Sequence, residues 1–217
     1  MTKQGNPFNC SHSPVGGLNG SPVQTHCGQL SAPYLQKIDS TLQLATADHP
    51  RTLAVRVDLR FPQGAECTDD AVISRFIASL KTKIQADLKA KKRTGARVHP
   101  CRLRYIWVRE QDSAPLQHYH VLLLLNADTY NCLGNYGAES GNLAYRIRSA
   151  WASAIGMPVE EICGSVHFPD NPIYRLDTRS DNYPESYGAV WYRTSYMAKL
   201  ATKEYGGHVR HFGCSQM

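Results

Sequence analysis

His118, Tyr119 and His120 stand directly before an apolar run, Val121-Leu122-Leu123-Leu124-Leu125, which Asn126 and Asp128 close. A run of this kind reads as a buried central strand. Side chains alternate faces along a strand, so His118 and His120 point the same way. Two imidazoles side by side on one sheet face can bind one divalent metal ion. Upstream, Glu110 follows a second strand-like run, Cys101 to Val108. If the two runs pair as a hairpin, Glu110 sits beside His118. A carboxylate and two imidazoles then make a three-ligand site with open positions for a substrate oxygen. Far downstream, Trp191 to Lys199 reads as helix, with Tyr192 and Tyr196 at i and i+4 on one face. Lys199 follows Tyr196 on the same helical side, and Lys203 continues it. A phenol has a pKa near 10 and needs help to act as a nucleophile; a lysine ammonium beside it steadies the phenolate. A metal site and a tyrosine helix together are equipment for cutting a nucleic-acid strand through a phosphotyrosine.

The rest of the chain must position these groups. Residues 1–32 are rich in Gly, Ser, Pro, Asn and Gln and read as a mobile arm, which leaves 33–217 as the catalytic domain. Tyr34 to Ala47 reads as a short helix closed by His49-Pro50. Thr52 to Phe61 alternates apolar and polar residues, the pattern of a strand. Thr68-Asp69-Asp70 caps a helix whose apolar stripe is Val72, Ile73, Phe76, Ile77, Leu80, Ile84 and Leu88. The end of that helix carries Lys81, Lys83, Lys89, Lys91, Lys92 and Arg93. These cations either complement the helix dipole in solvent or contact phosphates. A polar loop spans 127–142, and Leu143 to Ile155 reads as a helix ended by Gly156 and Pro158. Two short strand-like pieces, Gly164–Phe168 and Ile173–Leu176, precede a helix over 187–203 that Gly206-Gly207 stops. The order predicts an α+β fold, an antiparallel sheet with helices packed on it.

The His-hydrophobic-His strand, the preceding Glu110 and the downstream Tyr196-Met197-Ala198-Lys199 resemble the HUH endonuclease superfamily. Within it the layout is most similar to rolling-circle replication initiators of filamentous phages and prophage islands, over roughly residues 50–212. The resemblance implies a ferredoxin-like palm, with Mg²⁺ or Mn²⁺ held by Glu110, His118 and His120. It places Tyr196 and Lys199 on the family's Tyr-x-x-Lys motif. Tyr196 would attack phosphorus, leaving a 5′-phosphotyrosine and a free 3′-hydroxyl that primes a polymerase. Tyr192 is the candidate second tyrosine. Where some relatives carry a tyrosine four residues after the first, this chain has Leu200. Relaxases usually place the tyrosine before the histidine strand, so the order here favours the initiator type. Arg193, Lys203, Lys91, Lys92 and Arg93 are the candidate strand-binding residues.

A length of 217 residues allows one domain with a sizeable core, and a net charge of +6 with a pI near 8.9 favours a polyanionic partner. The seven cysteines never fall in a Cys-x-x-Cys pair, which argues against a disulfide framework or zinc finger and for a reducing cytoplasm. Asn9-Cys10-Ser11 matches a glycosylation triplet, but neither a signal core nor a membrane-spanning stretch accompanies it. There is no Gly-x-x-x-x-Gly-Lys-Ser/Thr, so a host helicase would have to unwind for the enzyme. Other readings remain open: a nickase aimed at a competing genome, a water-using metal-dependent hydrolase, or a basic nucleic-acid-binding module with relic histidines. His167 and Tyr119 read as structural residues. His208 and His211, beside Arg210, are candidates for phosphate contact rather than metal ligation.

Overall fold

In the computed structural model the described residues are 21–64, 70–111, 116–200 and 210–216. Strand β1 (Arg51–Leu59) runs through the centre, and every residue after Arg51 is buried. A strand buried on both sides needs cover on both sides, and the chain supplies two helical layers. Strands β2 (Arg104–Glu110) and β3 (His118–Asn126) form a hairpin, with β3 paired to β1. Helix α1 (Ala32–Asp48) precedes β1, and α2 (Val72–Arg93) connects β1 to β2. Helix α3 (Leu143–Ile155) leads to the short β4 (Val166–His167), followed by β5 (Ile173–Asp177), α4 (Tyr183–Ser195) and β6 (Phe212–Cys214). The sheet order is β4-β1-β3-β2-β6, with β5 also on β1, and every pairing is antiparallel. The portion β1-α2-β2-β3-α3-β4 in the order β4-β1-β3-β2 is the ferredoxin-like arrangement.

The period-two pattern divides the core. Leu53, Val55, Val57, Tyr119, Val121 and Leu123 face α2 and α3. Trp151 lies at the middle of that layer, against Phe61, Phe76 and Tyr119, with its Nε1 donating to the Arg60 carbonyl at 2.7 Å. Ala54, Ile106, Val108, Leu122 and Leu124 face α1 and α4. The expected apolar stripe of α2 is buried along its whole length. Helix α3 keeps its expected bounds because Asn142 caps it and Gly156 adopts φ 73°, the left-handed conformation glycine accepts most readily.

Three expectations need correction. The N-cap of α2 is Ala71, with no side-chain cap, and Asp70 is instead paired with Arg109 at 2.6 Å; Thr68 and Asp69 lie outside the described residues. The tyrosine helix begins earlier, at Tyr183 with Pro184 in its first turn, and ends at Ser195 rather than Lys203. The side chains of Thr194 and Ser195 bond back to the carbonyls of Val190 and Tyr192, and Lys199 is drawn into a bridge with Leu30. Those bonds compete with helix continuation. The arm expected over 1–32 is docked from Gln24 onward. Gln24 N donates to Ser195 Oγ at 2.9 Å, Ser31 N to the Ala198 carbonyl at 2.8 Å, and Leu200 N to the Gln29 carbonyl at 3.0 Å.

Strand β6 had no sequence signal. It pairs with β2 and brings Gly213 against Trp107, where a Cβ would stand 2.5 Å from a ring carbon. Trp107 is buried and cannot retreat freely. Gly213→Ala is expected to lower stability by about 1–3 kcal/mol, read by urea denaturation. An unchanged midpoint would mean that β6 does not press on Trp107. Among the described residues no helix is long and apolar enough to cross a membrane.

Candidate metal centre

The hairpin register pairs Glu110 with His118 and Val108 with His120. Directly opposed residues share a sheet face, as do i and i+2 on one strand. Glu110, His118 and His120 therefore project together, and one ligand atom from each lies within 4.8 Å of the others. Glu110 is 2% exposed and His120 8% exposed, so water competes little for them. His120 Nε2 stands 3.3 Å from Glu110 Oε2. With metal–ligand bonds of about 2.1 Å, neighbouring ligands of one ion sit roughly 3 Å apart, so this pair is already spaced to share one. Ligands on opposite sides of one ion stand about 4.2 Å apart, so a pair as wide as 4.8 Å must still draw together before all three share an ion.

Asp58 completes the centre, and the sequence reading did not single it out. It opposes His120 in the β1–β3 register, and its Oδ1 lies 2.7 Å from His120 Nδ1. Burial alone would raise the Asp58 pKa, but the His120 hydrogen bond and the Arg56 charge hold it well below the usual carboxylate range. An ionised carboxylate only accepts, so Nδ1 carries the proton and Nε2 presents its lone pair on the Glu110 side. Arg56, buried on the same face, donates to Asp58 and to the Val57 carbonyl. The available signal was the charged pair Arg56 and Asp58 at i and i+2 inside an otherwise apolar strand, an expensive placement unless the pair has work to do.

His118 is half-buried, and burial first, then the neighbouring His120, pushes its pKa below the ordinary imidazole value. A depressed pKa keeps the ring neutral, the form that binds metal. Mn²⁺ affinity at this centre is therefore expected to stay level down to about pH 6.5 and to fall only below it, as read by calorimetric titration across pH. Affinity that already declines above neutrality would contradict a neutral His118.

Tyr196 faces the same cluster. Its hydroxyl accepts from Lys199 Nζ at 2.8 Å and donates to Glu110 Oε2 at 3.4 Å, and its ring stands edge-on to His120 with centroids 5.6 Å apart. Lys199 Nζ lies 4.4 Å from the Tyr196 ring centroid and 3.6 Å from Glu110 Oε2. The cause is local. Tyr196–Ala198 tighten into a 3-10 turn, in which i and i+3 eclipse, so Lys199 is stacked over Tyr196. The docked segment from Gln24 to Ser31 clamps that turn from outside.

The other candidates separate. Tyr192 is 42% exposed, and the hydrogen bond to Glu110 is made by Tyr196. Both stand on one run of helical backbone, since α4 ends at Ser195 and Tyr196 is still in the right-handed helical conformation, so Tyr192 lies one turn before Tyr196 with its side chain open to solvent. Arg193 is near enough for its charge to bear on Arg56, and Arg60, which the sequence reading passed over, bears likewise on His118. Both stand near the centre. Lys91, Lys92 and Arg93 do not. Helix α2 starts at the Glu110 end of the sheet, and they lie at its far end, roughly 30 Å along the helix axis. There Lys91 pairs with Asp87 at 3.0 Å. His167 opposes Asp58 across β1–β4 but is exposed and lies outside the metal cluster. His211 lends its carbonyl to Arg109 N at 2.9 Å. Lys203 and His208 lie outside the described residues.

The sheet and its centre define a class: a ferredoxin-like α+β protein able to hold a metal ion between two strands, beneath a tyrosine. The chain belongs to the YagK/YfjJ C-terminal domain family, whose model matches residues 18–215. It is 38% identical over 193 residues to the uncharacterized protein YagK of Escherichia coli strain K12, covering 85% of this chain and 92% of that one. It is 33% identical over 194 residues to the uncharacterized protein YfjJ of the same strain, covering 84% and 93% respectively. No solved structure matches. The family match takes in the docked segment before α1, which belongs with the domain rather than with an arm.

Proposed function

We propose that this protein is an HUH-type nickase that cuts and rejoins single-stranded DNA through Tyr196 and thereby initiates rolling-circle replication. The observation that carries the reading is the Tyr196 hydroxyl, held between Lys199 and Glu110 on the edge of the metal cluster. The Tyr196 oxygen gives up its proton and bonds to phosphorus as the bond to the 3′ oxygen breaks; the 3′ oxygen takes up a proton from solvent and leaves as a hydroxyl, and the 5′ phosphate stays on the protein. Lys199 stabilises the phenolate, and Arg193 and Arg60 neutralise the approaching strand. Glu110, His118 and His120 would hold Mg²⁺ or Mn²⁺, which draws charge from the scissile phosphate. His120 is kept in the metal-binding tautomer by Asp58. One tyrosine suffices for a cut, and rejoining reverses the same step with the 3′-hydroxyl as nucleophile. The free 3′-hydroxyl would recruit a host polymerase, with a host helicase, in the bacterial cytoplasm.

The test uses labelled single-stranded DNA tiled across the sequence around the protein's own reading frame, with Mn²⁺. The products are run on a denaturing protein gel. A covalent protein–DNA band is expected on one segment. Metal-dependent cleavage with no band would replace the reading by a water-using hydrolase, and binding with no cleavage by a nucleic-acid-binding module. A band on foreign DNA alone would favour a nickase against a competing genome.

A further inference from the structure

At the β4 edge of the sheet lies a cleft of about 710 Å³, within the range of roughly 300–1,000 Å³ common for small-ligand sites. Its walls come from the loop before α3, from α3 and from the segment that includes β4. The metal centre uses none of these residues. Tyr136 is 49% exposed and stacks on Phe168, with ring centroids 5.0 Å apart and planes 22° apart. An aromatic pair with one ring half open to solvent is a stacking platform. Arg148, on α3, donates to the Ala138 carbonyl, which ties the Tyr136 loop to the helix. Its Nε is buried with no hydrogen-bond partner among the described residues, and the guanidinium lines the cleft. Glu139, Glu160, Tyr145 and His167 add to the polar lining.

This composition selects among ligands. A phosphate would meet two carboxylates against one guanidinium. A neutral nucleobase meets a ring to stack on, carboxylates that accept from its exocyclic amino group, and an arginine that donates to its ring nitrogens and oxygens. The position matters as well. His167 lines the cleft and opposes Asp58 on β1, and Asp58 in turn opposes His120 on β3. Two strand spacings place the rim roughly 10 Å from the metal ligand, the reach of one or two nucleotides.

We propose that this cleft takes one unpaired base of the DNA strand whose phosphate lies at the metal centre, stacked on Tyr136. Its placement rests on the nicking reading, whereas its binding can be measured without any cleavage. The probe is a single-stranded oligonucleotide carrying the fluorescent base 2-aminopurine, titrated against the full chain in chelator. Quenching of the probe is expected with the wild type. Tyr136→Ala should weaken binding about tenfold or more and remove the quenching, and Tyr136→Phe should retain both. Tyr136 is exposed, so its removal leaves the core intact, and circular dichroism of each variant checks this. Equal binding and quenching by Tyr136→Ala would overturn the cleft. So would a free 2-aminopurine nucleotide that binds as tightly as the strand, since that marks a nucleotide pocket. No strand binding by any variant would overturn both the cleft and the nicking reading. A Tyr136-dependent strand complex that never yields a covalent adduct would overturn nicking alone.

Discussion

Tyr196→Phe is expected to abolish the covalent protein–DNA adduct and leave strand binding nearly unchanged. The substitution removes one oxygen, the atom that would bond to phosphorus. Lys199 loses its 2.8 Å partner but keeps Glu110 at 3.6 Å, so the cost to folding should be about 1 kcal/mol. Tyr192→Phe should form adduct at the wild-type level, because that ring is exposed and Tyr196 is the one bonded to Glu110 and Lys199. The two variants are compared with labelled strand on a denaturing gel, alongside denaturant midpoints. An adduct that survives in Tyr196→Phe and disappears in Tyr192→Phe would move the nucleophile by one turn and undo the role given to Lys199.

The second large effect belongs to Asp58. Asp58→Ala removes the acceptor for His120 Nδ1 and the partner of buried Arg56 together. Leaving a buried guanidinium unpaired costs about 3–5 kcal/mol. Asp58→Asn keeps the shape and an accepting oxygen but not the charge, and should cost less. Both should weaken Mn²⁺ binding by roughly 10- to 100-fold, since the ring is no longer held in one tautomer and its basicity falls. Calorimetric titration of the folded Asp58→Asn protein separates the metal effect from the folding effect. An unchanged Mn²⁺ affinity would remove Asp58 from the centre. The acid limb of stability gives an independent reading. The folded-state pKa of Asp58 is depressed, so its contribution is complete above the ordinary aspartate value near 3.9. It is lost as pH falls from there through the depressed value. Wild type should therefore lose stability more steeply below about pH 4 than Asp58→Asn does.

Much of the centre was legible because it is made by the shortest-range rules. A period of two places His118 and His120 on one face whatever the fold, and a hairpin between consecutive strands is the simplest way to pair them. Glu110 then falls opposite His118, as the register has it. The apolar stripe of α2 and the caps of α3 follow equally from local spacing. Tyr-x-x-Lys marked the tyrosine because residues three apart share one side of any helix, and the 3-10 turn sharpens that pairing.

The remaining features depend on segments that are distant in sequence. Nothing within β1 says that Asp58 meets His120; the β1–β3 register does. Nor does the helix pattern say which tyrosine meets Glu110: Tyr196 reaches it while Tyr192 stays exposed, and the turn after α4 is held by Leu30 and Ser31. The docked segment looked like a mobile arm because Gly, Ser and Pro make little core of their own. Backbone hydrogen bonds to another segment leave no trace in side-chain pattern. The charge of the basic tail of α2 can be read from the sequence, but its position at the far end of the helix from Glu110 cannot. The sequence by itself determined the chemical groups and the face of the strand that carries them. Only the tertiary structure decided which of those groups meet, because strand register and helix ends are set by contacts between residues far apart in the chain.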